Sequence, residues 1–99
     1  MLGVMSLLGT EARAQSGPIK TVEPLDNGLL RVTFFAGGVV DVPVKDYMFH
    51  ARLCPLKEQN VFSSASTDGS FVRWYRDGIM VVDLSWEEVV QMAVGTEWI

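Results

Sequence analysis

From Pro18 onward, apolar and polar residues alternate in runs of strand length, separated by Gly, Pro and Asp. Alternation with period two places successive side chains on opposite faces of a strand, so each run reads as a half-buried strand. The first run, Ile19 to Glu23, is ended by Pro24. Asp26-Asn27-Gly28 then offers residues that tolerate positive φ and predicts a hairpin into a second strand, Leu29 to Phe35. Ala36-Gly37-Gly38 predicts a three-residue turn into a third strand, Val39 to Val44. That turn sets Leu30, Val32 and Phe34 opposite Val44, Val42 and Val40, all toward the core. The other face receives Arg31, Thr33 and Phe35 with Val39, Asp41 and Pro43, placing Thr33 opposite Asp41 and Arg31 on its diagonal. Pro43 lacks an N–H and marks a strand exit or an edge.

The alternation lapses between Lys45 and Asn60. Tyr47, Phe49, Leu53 and Leu56 predict a short helix, a turn at Cys54-Pro55 and an irregular return. A fourth strand is expected over Val61 to Ser66, and Asp68-Gly69 turns it into Ser70 to Tyr75. Asp77-Gly78 then closes a last hairpin. A two-residue turn there would set Val72 opposite Asp83 and bury a carboxylate, at a cost of several kcal/mol. A three-residue turn, Arg76-Asp77-Gly78, pairs Val72 with Val82 and Trp74 with Met80. It leaves Trp74 in the core and turns Arg73 and Tyr75 outward.

Ser85-Trp86-Glu87-Glu88 is a capping box, in which the Ser85 hydroxyl and the Glu88 carboxylate each satisfy the other's backbone N–H. The helix it opens runs to about Val94 and stops at Gly95. Its buried stripe is expected at Trp86, Val89, Val90 and Ala93. Together these elements predict an α+β fold of antiparallel β-hairpins, five to six short strands, with a short middle helix and a C-terminal helix.

Composition narrows the function. At 99 residues and 48% hydrophobic, the chain has the size and apolar content of one folded domain. A net charge of −4, with no block of basic residues, speaks against direct nucleic-acid binding, which draws on excess positive charge. One cysteine, Cys54, leaves neither an internal disulfide nor a multi-cysteine zinc site. The expected organisation is an N-terminal extension over 1–17, a single domain over 18–95 and a tail over 96–99. Within the extension, the apolar run Leu2 to Leu8 precedes Ala12-Arg13-Ala14, the small-x-small pattern of an export signal. The run is short and no Lys or Arg precedes it. A cytoplasmic location is therefore expected, the alternative being export directed by residues 1–14. No run is long enough to cross a bilayer as a helix.

Candidate chemistry is sparse. On a helix, His50 and Cys54 would share a face at i and i+4, and a Cys/His pair can generate a reactive thiolate. The plainer reading is a thiol in a proline-terminated turn beside a surface histidine. Glu87-Glu88 is accounted for by the helix start, and Asp41 and Asp46 flank a strand exit. Gly37-Gly38 precedes a strand and lacks the helix N-terminus of a phosphate loop. No catalytic residue, cofactor or metal is expected. The stronger candidate is a contact surface on the outward sheet face, carrying Arg31, Phe35, Arg73 and Tyr75 with Phe71 nearby. Arginine alternating with aromatics is the composition of interface hot spots. The hairpin edges also admit strand addition or homodimerisation, and Trp98-Ile99 leaves an apolar tail to be docked.

The order of these motifs resembles a bacterial family known as domain of unknown function 2442. The resemblance lies in the opening Pro18-Ile19-Lys20-Thr21-Val22-Glu23-Pro24-Leu25-Asp26-Asn27-Gly28 with the Leu29 to Phe34 strand, in Gly37-Gly38 and Asp41-Val42, in Pro55-Leu56 before Phe62, and in Trp74, Asp77-Gly78 and Asp83-Leu84-Ser85. It spans Pro18 to Ala93. It implies a small α+β fold, commonly encoded beside a second small protein in arrangements resembling toxin–antitoxin pairs. In some relatives a helix-turn-helix segment follows the domain; none follows here before Ile99, so no direct DNA binding is expected. The resulting expectation is a non-enzymatic interaction domain whose partner is a small protein or a second copy. A small thiol-dependent enzyme built on His50 and Cys54 is the alternative.

Overall fold

The computed structural model describes residues 17–95. The expectations for the signal-like segment and for the tail at Trp98-Ile99 lie outside the described residues. Two three-stranded antiparallel sheets and a C-terminal helix make up a small α+β fold. The first sheet holds β1 (Ile19–Pro24), β2 (Leu30–Phe34) and β3 (Val39–Val42) in that order. The second holds β4 (Ser66–Thr67), β5 (Phe71–Arg76) and β6 (Ile79–Ser85). Between the sheets run a 3-10 turn at Val44–Tyr47, another at Cys54–Lys57 and the one-turn helix α1 (Gln59–Phe62); α2 (Trp86–Val94) follows β6. The start of β1 is sewn to the second sheet, where the Ile19 N–H donates to the Gly69 carbonyl at 3.0 Å.

A single core gathers one face from each sheet. Leu30, Val32, Val42 and Val44 meet Val72, Trp74, Val82 and Leu84, and Leu53, Leu56, Val61 and Phe62 of the middle segment fill in beside Val89 and Met92. The inward set read from alternation in the second and third strands is thus confirmed, with Phe34 and Val40 packed at the margin. Their pairing differs by two residues. Leu30 lies opposite Val42 and Val32 opposite Val40, because the turn comprises residues 35–37 and not 36–38. The Phe34 N–H donates to the Gly38 carbonyl and the Gly37 N–H to that of Phe34, both at 2.9 Å, with Gly37 at φ 106°. A slip of two preserves every side chain's face, but it moves Arg31 from the diagonal of Asp41 to the position directly opposite.

The last hairpin departs from expectation in an instructive way. Its turn has two residues, Asp77 at φ 52° and Gly78 at φ 81°, the double positive φ of a type I′ hairpin. Arg76 pairs with Ile79 and Tyr75 with Met80; a bulge at Val81 then sets Trp74 opposite Val82 and Arg73 opposite Asp83. The energetic demand that Asp83 stay off the core is met by inserting a residue into the strand, not by enlarging the turn.

The middle segment is also corrected. Val61 and Phe62 are adjacent and both buried, which a half-buried strand cannot arrange; they lie on α1, and only Ser66–Thr67 pairs as strand. Ser64 anchors this segment to the sheet, accepting from the Tyr75 N–H at 2.7 Å and donating to the Val61 carbonyl at 2.6 Å. Tyr47 donates its hydroxyl to the Met92 carbonyl at 3.1 Å and ties the segment to α2.

The capping box forms as read. The Ser85 Oγ accepts from the Glu88 N–H at 3.2 Å, the Glu88 carboxylate from the Ser85 N–H at 3.0 Å, and Gly95 ends the helix at φ 80°. The buried stripe is rotated from the expected one: Val89 and Met92 are buried, whereas Trp86 and Val90 are 37% and 36% exposed. β6 enters the helix without a loop, so the pairing of Ser85 with Phe71 and the bond from the Trp86 N–H to the Ser70 carbonyl fix the helix's rotation. Replacing Ser85 with Ala should cost about 1 kcal/mol, the usual worth of such a cap, read as a lowered urea midpoint at unchanged slope.

Candidate interaction surface

The outward side chains of the second sheet form one strip. Phe71, Arg73 and Tyr75 alternate along β5 with buried Val72 and Trp74, so they share the face turned from the core. Met80, 47% exposed, stands directly opposite Tyr75, and Ile79 beside the turn is 69% exposed. Arg73 is held from two sides. Its guanidinium lies 5.1 Å from the Phe71 ring centroid and donates to Asp68 Oδ2 at 2.7 Å. The other oxygen of Asp68 accepts from the Ser70 and Phe71 N–H groups at 2.9 and 3.0 Å. Thr67 braces the same turn, its hydroxyl donating to the Phe71 carbonyl and accepting from the Gly69 N–H.

These bonds favour the ionised carboxylate. Arg73, and after it the two backbone donors, hold the Asp68 carboxyl down at about 2. A carboxyl depressed on folding contributes stability that is present above its ordinary pKa of about 4 and is lost as pH falls. For Asp68 the loss extends from about pH 4 through about pH 2. Urea midpoints measured across this window should therefore fall less steeply in Asp68→Asn than in the parent chain.

The four residues expected to form the contact surface divide between the sheets. Arg73 and Tyr75 lie on the strip just described. Arg31 and Phe35 belong to the first sheet, where Arg31 grips Asp41 through two bonds at 2.8 and 3.1 Å. That bond, and the adjacent charge, raise the Arg31 pKa and lower that of Asp41. Phe35 is half exposed at the hairpin tip. Two contributors to the strip escaped the sequence reading. Asp68 had a readable signal, an Asp-Gly-Ser turn whose carboxylate can take backbone N–H groups while reaching a nearby arginine. Met80 had one in the two-residue turn that Asp77-Gly78 invites, which sets it opposite Tyr75, whereas the three-residue turn places it in the core.

The other candidates gain little from the fold. The residues between His50 and Cys54 follow turns and not an α-helix, so the i, i+4 spacing does not place the two on one face. The His50 ring lies 4.3 Å from that of Phe49, and Cys54 is exposed where the second 3-10 turn begins. Among the described residues no three His, Cys, Asp or Glu side chains gather into a metal-binding group, and no helix is long and apolar enough to cross a membrane. The chain matches no family model, no curated protein and no solved structure.

Proposed function

We propose that this chain is a non-enzymatic interaction domain that holds a small protein partner on the outer face of its second sheet. The observation that carries the reading is the pairing of Tyr75 with Met80 beside Arg73, which Asp68 and Phe71 fix in place. A long arginine already ordered before binding surrenders less side-chain entropy at an interface, and aromatic, Met and Arg side chains are those enriched there. The resemblance to domain of unknown function 2442 supports a co-encoded small protein as the partner.

Strand addition is a weaker mode for this fold. β3 is four residues long and stops before Pro43, and Arg52 donates to the Asp83 carbonyl at 2.9 Å, engaging one acceptor of β6. A short edge discourages pairing, and the bond from Arg52 takes up one of the acceptors that the seven-residue β6 would otherwise offer. The test is affinity capture with the tagged chain from its native host, alongside Arg73→Glu/Tyr75→Ala. A single stoichiometric small protein, lost by at least tenfold in the double variant, is the expected result. Recovery of the chain's own second copy would replace the partner by a homodimer, and retention by the double variant would remove the face. Cys54→Ser should leave capture unchanged; loss of a measurable activity in that variant would favour the thiol enzyme instead.

A further inference from the structure

A cleft of about 330 Å³, with no residue of the β5–β6 strip in its lining, lies between the first hairpin loop and the middle segment. One wall is the Asn27-Gly28 turn, and buried Leu56 and Phe62 lie at its apolar side with Met48. Gly28 takes φ 71° and presses so closely on Lys45 that a Cβ there would stand 2.6 Å from the lysine Cβ. Lys45 and Lys57 both line the opening.

Arg31, Arg52, Arg73 and Arg76 are each paired with a carboxylate. Three described lysines, Lys20, Lys45 and Lys57, have no carboxylate partner among the described residues, and two of them share this cleft. They stand so although acidic side chains outnumber basic ones in the chain. The cleft is open and its lining mixed. Two ammonium groups and two amides stand beside the apolar edge of Met48, Leu56 and Phe62, offering charge together with partial cover for a carbon body. The volume lies at the small end of ligand sites.

We propose that this cleft binds a small organic carboxylate with an aryl or short alkyl body. The carboxylate sits between Lys45 and Lys57, and the body lies against Met48, Leu56 and Phe62. The side-chain amides of Asn27 and Gln59, which also line the cleft, supply donors and acceptors for further polar groups. The site is independent of the partner-binding strip and stands or falls without it.

The probe is 4-phenylbutyrate, titrated into the isotopically labelled full chain and followed by amide chemical shifts. Expected are saturable shifts centred on Gly28, Lys45, Met48 and Lys57, none at Arg73 or Tyr75, and a Kd of about 1 mM or tighter. The uncharged 4-phenylbutanamide and the variant Lys45→Gln/Lys57→Gln should each weaken binding by about tenfold or more, since each removes both charge-assisted contacts. Both lysines are exposed, so the variant should retain the parent's dispersed amide spectrum; Lys20→Gln is the matched control and should bind as the parent. Equal binding of acid and amide, unchanged affinity in the double variant, shifts centred elsewhere, or no saturable shift at about 10 mM ligand would each overturn the proposal.

Discussion

Val82→Asp should leave the chain largely unfolded, whereas Val81→Asp should cost only about 1–2 kcal/mol. The contrast follows from the bulge in β6. Val82 is 3% exposed and faces Trp74 across the hairpin, so a carboxylate at 82 would enter the core without a partner. Such a group costs several kcal/mol, on the order of a small domain's whole stability. Val81 is the extra residue and only partly buried at the core's margin. In a regular two-residue hairpin the order would reverse, because Val81 would then face Trp74. Circular dichroism and urea unfolding of the two variants therefore read the register directly, and a Val81 variant less stable than the Val82 variant would contradict the bulge.

Trp74→Ala should destabilise the fold by about 3–5 kcal/mol, the range for deleting a large buried aromatic. Trp74 is fully buried and is the largest side chain in the core. Trp74→Phe should cost much less than that. The indole Nε1 is buried and finds no hydrogen-bond partner among the described residues. Removing it relieves a desolvated donor, worth about 1–3 kcal/mol, which offsets the poorer packing of the smaller ring. Urea unfolding of the two variants should place Trp74→Phe far closer to the parent than to Trp74→Ala; equal destabilisation would mean that the indole nitrogen is satisfied in solution.

Alternation carried face but not register in this chain. Leu30, Val32, Val42 and Val44 point inward as their period-two spacing requires, and a two-residue slip at the Phe35–Gly37 turn leaves that pattern untouched. The slip is invisible to hydrophobic periodicity; it shows only in which pair of residues meets, here Arg31 with Asp41. The cost of burying Asp83 was legible, but two local devices, a longer turn and a bulge, satisfy it equally well in sequence terms. Ser85 and Glu88 were legible because a capping box is a local motif whose partners lie three residues apart. The rotation of α2 was not, since it is inherited from strand pairing through Ser85. Val61 and Phe62 misled for a related reason: a short apolar run cannot by itself distinguish a strand from a buried helical turn.

The same division explains the candidate surface. Arg73 and Tyr75 follow from alternation against Val72 and Trp74, whereas Met80 depends on the two-residue Asp77-Gly78 turn, which sets it opposite Tyr75 ahead of the bulge. Arg31 and Phe35 share the outward direction in their own hairpin, but they stand on a different sheet.

Site-specific photo-crosslinking tests the central claim most directly. A photoreactive side chain is placed singly at Tyr75, at Met80 and, as an equally apolar control, at Phe49, which is 75% exposed in the middle segment. Irradiation in the native host should join the chain to one small protein from Tyr75 and Met80, and not from Phe49. Crosslinks from Phe49 alone, or equal crosslinking from all three positions, would contradict a partner seated on the outer face of the second sheet.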